Sequence, residues 1–178
     1  MDRHVAFLRG MNLGNRRLKN EELRSHFEAL ECEGVATFRA SGNVVFARTA
    51  TSGDLTAELE AGLARALGYD VPVFLRSAKE LLAIAGQTPF SPKQVGASKG
   101  KLQVALLKKK PSASAARKAL ALSTDDDRLT VDGRELYWLP AGGISESELD
   151  WKAIESAIGP TTVRTKGTID QIASKHFG

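Results

Sequence analysis

A chain of 178 residues with 42% hydrophobic and 26% charged side chains suits one ordinary domain or two small ones of roughly 80–90 residues, and is too apolar for a disordered polypeptide. Its 25 basic and 21 acidic residues leave a net charge of +4, short of the dense basic stripe a duplex-binding protein uses. A single cysteine, Cys32, rules out an intramolecular disulfide and a cysteine metal cluster; with no apolar stretch of about 18 residues, a membrane partner is not expected.

Residues 4–9 are apolar on both faces and read as a central strand. Asn20 follows as a helix cap, Glu21 and Glu22 complement the helix dipole, and Leu23, Phe27 and Leu30 recur at helical spacing up to Gly34. Residues 35–40 alternate as a strand, Ser41-Gly42-Asn43 reads as a tight turn, and residues 44–48 return. Thr51-Ser52-Gly53-Asp54 is a cap signature for a helix with Leu55, Leu59, Leu63 and Leu67 on one stripe, closed by Gly68. Residues 71–76 form a further strand, which Pro72 assigns to an edge.

Ser77-Ala78-Lys79-Glu80 caps a connecting helix ending by Gly86, and residues 88–100 read as a linker. The second half repeats the order. A strand at 102–107 precedes an alanine-rich helix at 112–122, and strands at 128–131 and 135–139 flank Asp132-Gly133, a hairpin signal. Ser145 or Ser147 caps a helix carrying Leu149, Ala153, Ile154, Ala157 and Ile158, ended by Gly159-Pro160. A strand at 161–165 follows, and Thr168 with Gln171 reads as the capping box of a terminal helix.

The expectation is an α+β protein of two consecutive βαββαβ ferredoxin-like units with antiparallel sheets and an extra C-terminal helix. The first subdomain spans 1–77, a connecting helix and linker span 78–100, and the second subdomain with its terminal helix spans 101–178. In such a unit the end of the first strand, the start of the first helix and the strand-two to strand-three hairpin share one end of the sheet. FLRGMNLGNRRLK (residues 7–19) and the segment Arg39-Ala40-Ser41-Gly42-Asn43 should therefore converge, with Arg76 at the opposite end.

Guanidinium forks, a positive helix terminus and backbone amides made approachable by Gly10, Gly14 and Gly42 are what an anion requires. The candidate ligand-binding residues are Arg9, Asn12, Gly14, Arg16, Arg39, Ser41 and Asn43, for a phosphate- or carboxylate-bearing small molecule. The spacing fits neither a P-loop nor a dinucleotide fingerprint. A solvated basic turn is the bland alternative.

Two further classes stand beside binding. One is an enzyme using the same cationic end to stabilise developing negative charge, although Glu21 and Glu22 are better explained as helix-start residues than as a general base. The other is an interaction module whose open sheet faces pack on each other or on a second copy, as a homodimer. His4, His26 and His176 are too scattered for a metal, no cofactor is called for, and Cys32 beside Glu31 and Glu33 reads as a buried structural thiol. Asp125-Asp126-Asp127 reads as a solvated acidic face, and one of Tyr137 and Trp138 should face the core and the other outward. Nucleic-acid recognition by sheet stacking lacks its aromatic signature, Phe7 and Phe46 being the only rings on the first unit's central strands. The opening MDRHVAFLRGMNL has too short an apolar segment for a signal peptide, so the expected location is cytoplasmic.

Leu8-Arg9-Gly10-Met11-Asn12-Leu13-Gly14, Ser41-Gly42-Asn43-Val44-Val45-Phe46 and Val73-Phe74-Leu75-Arg76-Ser77 resemble the bacterial family called domain of unknown function 1697. The resemblance continues through Thr88-Pro89-Phe90, the hairpin around Asp132-Gly133 and Thr161-Thr162-Val163-Arg164. It implies two ferredoxin-like subdomains and carries over no catalytic residues. The chain departs from the family pattern at Ala40, where Gln is common, and at Arg164-Thr165-Lys166-Gly167-Thr168, where T-R-N-W-N-T is usual.

Overall fold

Val5, Ala6, Phe7 and Leu8 can be apolar in succession because the strand they form, β1 (Asp2–Leu8), is buried on both faces. The computed structural model describes residues 1–11, 17–39, 42–50 and 52–178. β1 pairs antiparallel with β3 (Asn43–Arg48) on one side and β4 (Val73–Ser77) on the other. β2 (Glu33–Thr37) completes a sheet of order β2-β3-β1-β4, so the first and third strands are central and the Pro72-led strand lies at an edge. α1 (Asn20–Ala29) and α2 (Leu55–Leu67) lay Leu23, Phe27, Leu59 and Leu63 on Ala6, Leu8, Val44, Phe46 and Val73. The alternate side chains Val5, Phe7, Val45, Phe74 and Arg76 are each no more than 2% exposed. Because Val73 pairs with Leu8 and Ser77 with His4, Arg76 lies at the end of the sheet away from Leu8.

Two boundaries differ from the sequence reading. α1 ends at Ala29 rather than at Gly34: the N–H groups of Leu30 and Cys32 both donate to the Phe27 carbonyl, at 3.0 and 3.2 Å. Glu31, at φ 63°, makes the left-handed turn, and Gly34 falls inside β2, where the register slips between Glu33 and Ala36. α2 is as read, from the Asp54 cap to Gly68.

α3 (Ala78–Ala85) starts on the expected cap: Ser77 Oγ accepts from the Glu80 N–H and Glu80 Oε2 from the Ser77 N–H. The expected linker contains a further helix, α4 (Pro92–Ala97). Ser91 and Gln94 exchange the reciprocal bonds of a capping box at 3.1 and 3.0 Å, and Pro92 occupies the first helical position, where its missing N–H costs nothing. The low-complexity look of the segment hid that signal.

The second sheet repeats the first. β5 (Gln103–Leu107) and β7 (Glu135–Pro140) are central between β6 (Asp127–Asp132) and β8 (Thr161–Thr165), in the order β6-β7-β5-β8. α5 (Ala113–Leu120) and α6 (Trp151–Ile158) bury Ala119, Ile154 and Ile158 against Ala105, Leu107, Leu136 and Trp138. The cap of α6 is Asp150, which accepts the Ala153 N–H at 3.0 Å, and not Ser145 or Ser147. Ser147 instead donates to Asp127. Trp138 packs into the helix-covered cluster, and Tyr137, its neighbour on β7, is outside that cluster but buried as well rather than exposed.

α7 (Lys166–Ile172) is capped by Thr165, whose hydroxyl accepts the Thr168 N–H at 3.1 Å; Thr168 itself lies inside the helix. The chain ends in a wide π-type turn, Ala173–Phe177. Contacts divide the chain into one unit of Met1–Ala83 with Ile172–Gly178 and another of Ile84–Gln171. The terminal heptad thus belongs with the first unit, where Arg3 lies over the Phe177 ring and Lys175 beside the Phe38 ring.

Candidate functional site

The end of β1, the β2–β3 hairpin and the start of α1 meet at one end of the first sheet. The Leu8 N–H donates to the Gly42 carbonyl at 2.8 Å, and Phe7 lies opposite Asn43. The next residue, Arg9, sends its N–H to the Pro72 carbonyl at 3.1 Å, anchoring the chain as it leaves the sheet. Gly42 has φ 84°, and a Cβ there would stand 3.0 Å from Leu8 Cβ and 3.1 Å from its carbonyl oxygen. Only glycine permits that approach.

The hairpin is closed by Asn43, whose backbone carbonyl accepts the Phe38 N–H at 3.0 Å while its side-chain amide donates to the Phe38 carbonyl at 3.1 Å. Asn43 is buried, and this bond gives its amide a part in shaping the turn. Arg39 adopts φ 58°, a conformation that side-chain-bearing residues avoid outside tight turns.

α1 is joined to this hairpin by the side chain read as its cap. The cap is Lys19, whose N–H donates to Glu22 Oε2 at 3.1 Å, and Asn20 is the first helical residue. Freed from capping, the Asn20 amide donates to the Arg39 carbonyl at 3.0 Å. The N–H groups of the first turn of α1 therefore sit beside the hairpin, with the positive end of the helix dipole. Arg9, Arg17, Lys19 and Arg39 are exposed at these three segments, with Glu21 and Glu22 in the first helical turn as the acidic counterweight.

The backbone segments carrying Arg9, Arg39 and Asn43 thus meet at one end of the sheet, and the Asn43 side chain, expected as a ligand donor, is buried with its amide bonded to the Phe38 carbonyl. Asn12, Gly14, Arg16 and Ser41 lie outside the described residues, as do Asn15 and Ala40. Two participants escaped the sequence reading. Asn20 was legible only as a cap, because nothing local says that a side chain one position inside a helix will reach a hairpin. Lys175, from the terminal turn, approaches the Phe38 ring to 5.9 Å, and the Arg39 guanidinium carbon lies 5.6 Å from the same ring. No local pattern announces a contact so distant in sequence.

The remaining candidates have structural employment. Burial pushes the Cys32 thiol up to about 11, against a smaller opposing pull from the Arg48 guanidinium. Arg48 is itself held 2.6 Å from Glu58. Asp127, expected to be solvated, is 1% exposed and accepts from Trp138 Nε1, Ser147 Oγ and Thr124 Oγ1 at 2.8, 2.7 and 2.7 Å. Desolvation alone would raise its carboxyl, but these three donors outweigh it and hold the group below the ordinary carboxylate range. Arg164, in the segment that departs from the family pattern, donates to Thr162 Oγ1 and the Val163 carbonyl, and burial lowers it to about 10. Phe7 and Phe46 are no more than 1% exposed and present no ring face to a base. Among the described residues no cluster of three or more His, Cys, Asp or Glu side chains is placed to hold a metal ion, and no helix is long and apolar enough to cross a membrane.

No curated protein matches the chain. In fold the chain is similar to a conserved bacterial protein, SP0830 from Streptococcus pneumoniae, with a TM-score of 0.74 over 98% of this chain and 97% of that one. At 19% identity the likeness concerns the fold alone. Residues 1–137, more than three quarters of the sequence and including the end of β1, the start of α1 and the β2–β3 hairpin, match the family described as Protein of unknown function (DUF1697), and the chain belongs to that family.

Proposed function

We propose that the hairpin end of the first unit is a binding site for an anionic ligand, a phosphate- or carboxylate-bearing small molecule. The observation that carries this reading is the bond from the Asn20 amide to the Arg39 carbonyl, which with the Leu8–Gly42 bond ties three basic segments together. Arg9 and Arg39 supply planar forks suited to two oxygens at once, and the first turn of α1 supplies backbone N–H groups on the positive side of its dipole. Lys175 adds a cation from the terminal turn. Asn12, Gly14, Arg16 and Ser41 complete the proposed set from the sequence alone. Binding is favoured over catalysis by the state of Glu22, a nearby carboxylate already accepting the Lys19 N–H in the helix cap.

A thermal-shift screen with inorganic phosphate, nucleotides and short RNA tests the proposal. A ligand at a hundredfold excess over its Kd contributes about 2.7 kcal/mol. For a protein of this length that raises Tm by roughly 5–10 °C. Arg39→Ala removes a charge-assisted contact and should weaken binding about ten- to a hundredfold. Lys175→Ala, at an exposed position, should cost no more than about fivefold. A shift that survives Arg39→Ala undiminished, or no shift with any anion, contradicts the proposal.

A further inference from the structure

We propose that the seven C-terminal residues, Ile172–Gly178, form a strap on the first unit that is released when His176 takes up a proton. The segment groups with the first unit, its Ile172 and Ala173 side chains are buried, and two ring contacts join it to that unit. The Arg3 guanidinium lies 4.7 Å from the Phe177 ring centre, and Lys175 approaches the Phe38 ring. Between these contacts sits His176, whose Nε2 is buried and has no hydrogen-bond partner.

A neutral imidazole tolerates that position and an imidazolium does not. Among the described residues, the charged groups that act on His176 are Lys175 on its own turn and Arg3 on β1, and both are cations. Protonation would place a third positive charge beside them, with a buried N–H that has no acceptor. Burial, then Lys175, then Arg3 each hold the imidazole below its ordinary value of 6.5. The strap therefore binds fewer protons than the released segment. Its stability is complete above the unfolded value of about 6.5 and is lost as pH falls through that value.

His4 is a built-in comparison. Its Nδ1 is likewise buried without a partner, and its ring stacks on Phe46 at 5.5 Å. Burial lowers its pKa too, but the carboxylates of Asp2 and Glu80 act in the opposite direction. Release by acid is therefore assigned to His176.

Hydrogen exchange followed by mass spectrometry at pH 7.5 and 5.5, with exchange times scaled for the intrinsic rate, tests the strap directly. The expected result is a severalfold loss of protection in the C-terminal peptide at pH 5.5, bounded at about tenfold for one imidazole whose unfolded value is near 6.5, with β1 and β3 still protected. His176→Phe should abolish that dependence on pH, and His4→Phe should leave it in place. Equal protection at both pH values, a loss spread over β1 and β3, or pH dependence persisting in His176→Phe overturns the proposal. Should His176→Phe fail to fold, the wild-type imidazole titration followed by NMR decides: a His176 midpoint below 6.5 is expected, and one at or above 6.5 overturns it.

Discussion

Asp127 illustrates how far a residue's neighbours in sequence can mislead. It is the last of three consecutive aspartates, a pattern that reads as solvated, and it is buried. Its three donors come from Thr124, Trp138 and Ser147, and only the first is close enough in sequence to be guessed. Asp127→Ala leaves the buried Trp138 N–H without an acceptor and should cost about 3 kcal/mol, measured by urea unfolding. Because the folded carboxyl is held below its ordinary value, the stability it contributes is present above about pH 4–5 and lost as pH falls toward the folded pKa. Asp127→Asn should flatten that part of the acid profile, and an unchanged profile would remove Asp127 from it. Cys32 was legible as a buried thiol, although the principal cause of its raised pKa is desolvation rather than the flanking glutamates. It should react with a thiol reagent at pH 8 only at the rate of local opening, well below the rate in denaturant.

Elements were most legible where local chemistry alone decides them. Asp54 caps α2 and Ser112 caps α5 because each is followed by a clean helical stripe, and the Asp132-Gly133 signal marks the β6–β7 hairpin, with Asp132 ending β6 and Gly133 and Arg134 forming the turn. Boundaries failed where a contact elsewhere recruited the signalling residue: Ser147 serves Asp127 rather than α6, and Asn20 serves the hairpin rather than α1. Gly96 and Gly100 make a test of packing at this scale. A Cβ on Gly96, within α4, meets nothing within 4 Å, so Gly96→Ala should stabilise by up to about 1 kcal/mol through helix propensity. A Cβ on Gly100 would stand 2.2 Å from the Gly142 carbonyl oxygen and 2.8 Å from that of Pro140, and backbone yields little. Gly100→Ala should destabilise by about 1–3 kcal/mol. Equal Tm values for the two variants would show that the loop around Gly142 adjusts freely.

Across the whole molecule, the order of strands and helices was enough to specify both sheets, since a βαββαβ chain with right-handed crossovers has few ways to close. The same rule places the end of β1 and the hairpin at one end of the sheet, which is the part of the candidate site that element order alone can locate. The terminal strap was not legible, because it depends on tertiary contacts of Arg3 and Phe38 with a segment at the far end of the chain. The central claim is that three basic segments of the first unit form one anion site. Backbone amide chemical-shift mapping during a titration with inorganic phosphate measures it most directly. The expected result is a saturable set of shifts at Arg9, Asn20, Arg39 and Gly42, abolished by Arg39→Ala. Linear, unsaturable drifts scattered over both units would contradict it.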